Sequence, residues 1–101
     1  MIVSDYLEKR GPGARVYCIG ESLLDIIFME HQPKAATPGG SMLNTAVSLG
    51  RCGVPVTLIS DLAKDQPGQM ILRFLESNSV STKYIRKYEK GKTTMALAFT
   101  D

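Results

Sequence analysis

Histidine and cysteine are scarce in this 101-residue chain, which has one histidine, His31, and two cysteines, Cys18 and Cys52, with no CxxC pair. A structural zinc site needs four such ligands gathered at set spacings, so none is readable here. Charge of one sign is lacking too: 12 Lys and Arg against 10 Asp and Glu leave a net +2, too little to imply a polyanion partner. No apolar run approaches the roughly 18 residues that a membrane-spanning helix requires. Residues 1–15 carry Asp5, Glu8, Lys9 and Arg10 in place of an apolar signal core. Internal repeats and low-complexity tracts are missing. These absences lead us to expect a soluble protein of the reducing cytoplasm, with neither nucleic acid nor membrane as partner. What remains, 44% hydrophobic and 22% charged, is the composition of a globular domain able to bury a core. Few enzymes assemble a two-substrate site in so little chain, so the length argues against complete catalysis.

Residues 1–15 read as a polar extension closed by Gly11-Pro12-Gly13, and the fold is expected to begin after it. Val16 to Ile19 is a short apolar run ended by Gly20, which fits a buried strand. Leu23 to Met29 is apolar except for Asp25, an acid where the pattern expects burial; it must be hydrogen-bonded, capping, or held for a polar ligand. Gln32 to Gly40 reads as a Pro/Gly/Ala/Thr-rich connection. A helix follows from Ser41, its expected cap, with Leu43, Ala46 and Val47 on helical spacing and Gly53 and Pro55 as a stop. Val56 to Ser60 is a second strand. Asp65-Gln66-Pro67 opens a second helix, with Asp65 as cap and Met70, Ile71, Phe74 and Leu75 as its apolar stripe. Strand, helix, strand, helix is an α/β rhythm, and such strands pair in parallel. The last third changes period: Tyr84 to Tyr88, a basic turn over 89–92, then Met95, Leu97 and Phe99 alternating with small residues. This reads as a β-ribbon with an exposed apolar face.

The most suggestive constellation is Gly39-Gly40 directly before a helix carrying Asn44. Two glycines let the backbone approach a ligand closely, and a helix N-terminus offers unpaired amides. Asp25, expected at the end of the first strand, and Asn44 together suit a polyhydroxy compound, since a carboxylate accepts from two hydroxyls while an amide serves a third. The plainer alternative is a capped helix behind a flexible turn, with Asp25 an ordinary loop carboxylate. Gly91-Lys92-Thr93-Thr94 fails as a phosphate loop, because the first glycine of GxxxxGK(S/T) is replaced by Arg86 and the segment leads into a strand. GxGxxG is missing as well, Gly20 being alone in its turn. Arg86, Lys87, Lys90 and Lys92, with Tyr84 and Tyr88, read as a solvated ribbon edge rather than an RNA surface. Asp61 and Asp65 need no magnesium to explain them, and Cys18 and Cys52 read as small apolar residues.

The runs CIGESLLDII, PGGSMLNTAVSLGRCGVPVTLISDLAKDQPGQMI and TTMALAFTD resemble the N-terminal portion of the ribokinase-like (PfkB) family of carbohydrate kinases, over residues 16–101. PGGSMLNTAVSLGRCG is similar to that family's first signature. The resemblance implies an α/β fold with a mainly parallel sheet flanked by helices and a β-sheet lid, formed by about residues 26–38 and 84–101. It implies that Asp25 and Asn44 bind sugar hydroxyls beside a hinge at Gly39 and Gly40, as in a fructokinase-like enzyme, and that the lid forms a homodimer contact. ATP, Mg2+ and a monovalent cation such as K+ are the implied cofactors. The family's catalytic base and anion hole share a GAGD-type motif, and no such run occurs in these 101 residues. The family's glycine just before Asp65 is missing too. The chain is therefore expected to be an N-terminal fragment that is inactive alone and holds no catalytic, nucleotide or metal residue. The rival expectation is a non-catalytic binding or assembly module working through its lid ribbon.

Overall fold

The structure, a computed structural model, describes residues 14–100. Most of the expected 1–15 extension lies outside the described residues. Nine elements follow in order: β1 (Val16–Ile19), β2 (Leu23–Met29), β3 (Gln32–Gly39), α1 (Ser41–Arg51), β4 (Val56–Ala63), α2 (Gln66–Ser77), β5 (Val80–Ser81), β6 (Ile85–Tyr88) and β7 (Met95–Thr100).

The strands divide into two sheets, and β4 is the hub of the first. β1 pairs with β4 in parallel from Val16↔Val56 to Ile19↔Ile59. Along its opposite edge β4 pairs in parallel with β5 near its start and with β6 near its end. One core fills the helix-bearing side of this sheet, where Leu43, Ala46 and Val47 of α1 and Ile71, Leu72 and Leu75 of α2 meet Cys18, Val56, Leu58 and Leu62. Burying each of the larger side chains is worth roughly 1.5–3 kcal/mol. The stripe on α2 is rotated from the expected one, since Met70 is 43% exposed and Leu72 takes its place. On the far side of the sheet Tyr17 and Ile19 are exposed, and no described helix covers them.

The second sheet has the order β3-β2-β7. Here the structure corrects the sequence reading twice. Residues 32–39, read from composition as a connection though the family resemblance implied a β lid over 26–38, form β3, antiparallel to β2; Pro33 and Pro38 are tolerated because β3 is an edge strand with a free side for a missing N–H. The expected ribbon over 84–100 is split between the sheets: β6 joins β4, while β7 crosses to pair with β2 in parallel from Leu24↔Met95 to Met29↔Thr100. Alternation alone could not show which partner each strand would find.

Because side chains alternate, this sheet has two unlike faces. One carries Leu24, Ile26 and Phe28 beside Met95, Leu97 and Phe99, with Phe28 and Phe99 stacked at 4.9 Å between ring centroids. The other carries Asp25, Ile27 and Met29 beside Ala96, Ala98 and Thr100. Leu97 and Phe99 are 56% and 72% exposed, as the alternation predicts.

The β2–β3 hairpin turns through Glu30 and His31, at φ 53° and 66°. A two-residue turn with both φ values positive suits Asn-Gly, and other residues carry roughly 1–2 kcal/mol of strain each. The double change Glu30→Asn, His31→Gly is expected to stabilise the fold by about 1 kcal/mol. Chemical denaturation checks this as a higher midpoint at unchanged slope.

Candidate functional site

Asp25 lies in the middle of β2, between Thr37 of β3 and Ala96 of β7, and not at the end of the first strand as expected. Its side chain is half-buried and makes no hydrogen bond among the described residues. Gly39 explains its placement: a Cβ on Gly39 would run into the Asp25 carboxylate, so only glycine leaves that group its seat. Gly40 follows at φ 115°, and a Cβ there would press on the Glu21 carbonyl. Strand β3 passes into α1 through this single residue.

Gly40, and not Ser41, occupies the cap position of α1, and no side chain caps the helix. Ser41 is instead the first helical residue, and its carbonyl accepts the Thr45 hydroxyl at 3.0 Å. The amides of the first turn therefore have no intrahelical acceptor, which leaves donors facing the glycine pair. Asn44 sits one turn into α1, its amide bonded to the Gly40 carbonyl at 2.9 Å, and its side chain is exposed. The structure thus brings Asp25 against Gly39, and the glycine pair directly before the turn bearing Asn44. Together they offer a carboxylate acceptor, an amide of both polarities and open backbone donors, a set fitted to vicinal hydroxyls.

Next to this cluster is a cleft of about 390 Å³ that the sequence did not reveal. Its walls include Glu21 and Ser22 from the β1–β2 link, Ser60 and Asp61 of β4, Tyr88 at the end of β6 and Thr94 just before β7. It opens at the carboxyl ends of parallel strands, where open α/β sheets bind ligands. The four residues expected from sequence do not line it; Glu21 joins the two, lining the cleft while its carbonyl lies against Gly40. Ser22 and Ser60 share a buried hydrogen bond of 2.9 Å at the base of this link.

Asp61 takes a two-pronged contact from Arg86 at 3.0 and 2.9 Å, exposed on the sheet. Among the described residues no group of three or more His, Cys, Asp or Glu gathers as metal ligands. Cys18 is buried, and that burial raises its thiol pKa, so it is not poised as a nucleophile. No described helix is long and apolar enough to cross a membrane.

Asp65 caps α2 as expected, accepting from the Gly68 amide at 2.8 Å. It also accepts from the Thr93 amide at 2.8 Å and the Thr93 hydroxyl at 2.6 Å. Desolvation raises its pKa, but the Thr93 hydroxyl, the Thr93 and Gly68 amides and the charge of Lys92 together outweigh it and hold the carboxyl below its usual range. A depressed folded pKa contributes stability above the unfolded value, near pH 4, and loses it as pH falls through the folded value. The gap in melting temperature between the native protein and Asp65→Asn is therefore expected to be full at pH 6 and to close below about pH 4.

An α/β layer joined to a small, two-faced β sheet is an architecture this chain shares with part of several solved sugar kinases. A sugar kinase of Pyrococcus horikoshii superposes with a TM-score of 0.81 at 30% identity, over 87% of this chain and 31% of that one. A fructokinase double mutant of Vibrio cholerae O395, in fructose, ADP and potassium ion bound form, shares the fold with a TM-score of 0.78 at 21% identity, over 83% of this chain and 27% of that one. In sequence, a 5-dehydro-2-deoxygluconokinase of Geobacillus kaustophilus is 32% identical over 90 residues, 82% of this chain and 27% of the relative. Residues 14–101 match the pfkB family carbohydrate kinases, and the chain belongs to that family. It spans about a quarter of the length of the curated relatives it matches.

Proposed function

We propose that this chain supplies the acceptor-binding half of a kinase that transfers the terminal phosphoryl group of ATP to a sugar hydroxyl. The observation that carries the reading is the Asp25 carboxylate seated over Gly39, beside the uncapped start of α1 that holds Asn44. Asp25 accepts two hydroxyls of the sugar and Asn44 a third, while Gly39 and Gly40 keep side chains out of the approach and let the β3-β2-β7 sheet swing. Closure of that sheet excludes water and favours transfer to the sugar over hydrolysis.

The GAGD-type run that the family resemblance ties to the anion hole and nucleotide pocket does not occur in these 101 residues. ATP, Mg2+ and K+ are therefore assigned to polypeptide that completes the kinase, and no step is derived through them. The exposed Tyr17 and Ile19 on the helix-free side of the first sheet support such completion, since parallel sheets are normally covered on both faces. The test is ATP-dependent phosphorylation by the complete kinase across fructose, ribose, nucleosides and 2-deoxygluconate acids. Turnover of one of these supports the reading, and failure on all of them removes it.

The exposed Met95, Leu97 and Phe99 favour a second role for the same sheet, a homodimer contact made with the face opposite Asp25. Leu97→Lys is expected to shift the sedimenting species from dimer to monomer. A wild type that sediments as a monomer at every concentration contradicts this role.

A further inference from the structure

Three links carry the chain between the two sheets, and each is fixed to the central layer by a different device. The β1–β2 link is pinned by the buried Ser22–Ser60 hydrogen bond. The β3–α1 junction is the glycine pair packed against Asp25 and the Glu21 carbonyl. The third link, residues 89–94, runs from β6 to β7 and is held by Asp65. Thr93, almost fully buried, gives both its amide and its hydroxyl to that one carboxylate. Gly68 admits this approach, because a Cβ there would meet the Ala63 carbonyl, Asp65 Oδ1 and Thr93 Oγ1. One residue beyond Thr93, the Thr94 carbonyl accepts the Leu24 amide at 2.9 Å, and two residues further Ala96 lies beside Asp25.

We infer that Asp65 is a positioning residue for the acceptor site: by holding Thr93 it fixes where β7 begins, and so sets the register of β7 against the strand that carries Asp25. Helix capping accounts for only the Gly68 contact. The two Thr93 contacts reach 28 residues along the chain and add nothing to the helix. They place a charge-assisted pair at the root of the β3-β2-β7 sheet, where a shift of one residue would move Ala96 away from Asp25 and turn the other face of β7 towards the site.

The inference rests on reading Asp25 as the sugar-binding carboxylate, and its test has one arm that does not. In the intact protein, hydrogen exchange is followed at residues 95–100 of β7 and at residues 56–58 of β4, in wild type, Asp65→Asn, Thr93→Val and Thr93→Ser. Thr93→Val keeps the amide bond and loses the hydroxyl, so it disturbs α2 least; Thr93→Ser restores the hydroxyl. Exchange over 95–100 is expected to quicken about tenfold in Asp65→Asn and Thr93→Val with 56–58 unchanged, and to return near the wild-type rate in Thr93→Ser. Unchanged exchange at 95–100, or equal quickening at 56–58, overturns the anchoring role. In the second arm, with a sugar that the wild-type kinase phosphorylates, Thr93→Val is expected to raise KM about tenfold while kcat stays within about twofold. An unaltered KM overturns the link to Asp25. Absence of any turnover by the wild type refutes the kinase reading alone, and the exchange arm then decides the anchoring.

Discussion

Asp25→Ala is expected to weaken sugar binding at least ~100-fold. A carboxylate that accepts from two hydroxyls makes two charge-assisted hydrogen bonds, each worth roughly 1.5–3 kcal/mol, so their joint loss is about 3 kcal/mol or more. The fold should tolerate the change, because Asp25 makes no side-chain hydrogen bond among the described residues and its strand pairs with both neighbours through backbone that the substitution leaves in place. Gly39→Ala tests the same geometry from the opposite side. Its added methyl would enter the space of the carboxylate, and the carboxylate must move. Both variants are expected to show raised Kd by calorimetry on the complete kinase, at melting temperatures close to that of wild type for Asp25→Ala. Asn44→Ala, at an exposed amide, should cost less, about tenfold. Unchanged affinity in both Asp25→Ala and Gly39→Ala would remove the site assignment.

The second large effect is on stability. Leu58 is fully buried at the centre of β4, the strand that pairs with β1, β5 and β6. Truncation to alanine leaves a cavity within the core cluster that Leu58 shares with the helices, and such changes cost roughly 2–5 kcal/mol. Against the total stability of about 5–15 kcal/mol usual for a domain, that is a severe loss. Leu58→Ala should lower the denaturation midpoint far more than any variant of the second sheet. A loss below about 1 kcal/mol by denaturant titration would show that β4 is not the strand on which the core depends.

The two helices and the parallel strands were legible because each follows a local rule. Leu43, Ala46 and Val47 recur at helical spacing, Asp65 precedes Pro67 at a helix start, and the β-branched run after Pro55 is strand-like. To composition alone β3 was hidden by Pro33 and Pro38, which argue against a strand until its place at a sheet edge is known, and only the family resemblance implied β structure there. The split of β6 from β7 was hidden for another reason: both alternate as strands should, and only Thr93, through a carboxylate far away in sequence, shows where one sheet ends and the next begins. Asp25 stood out as an acid in an apolar run. Glu21, Ser60, Tyr88 and Thr94 carried no such mark, since only the meeting of several strand ends makes them neighbours.

The two faces of the β3-β2-β7 sheet are written on alternate residues of the same strands, and that interleaving separates how they can change. Along β2 the even positions, Leu24, Ile26 and Phe28, share the face proposed for association, while the odd ones, Asp25, Ile27 and Met29, share the face proposed for the sugar; along β7 the parity is reversed. A point substitution on one face is therefore expected to leave the other face unchanged. Insertion of a single residue early in either strand does the opposite, exchanging the two faces beyond it at a stroke. A one-residue change of length in these strands is thus expected to disturb both faces at once, where a replacement disturbs one.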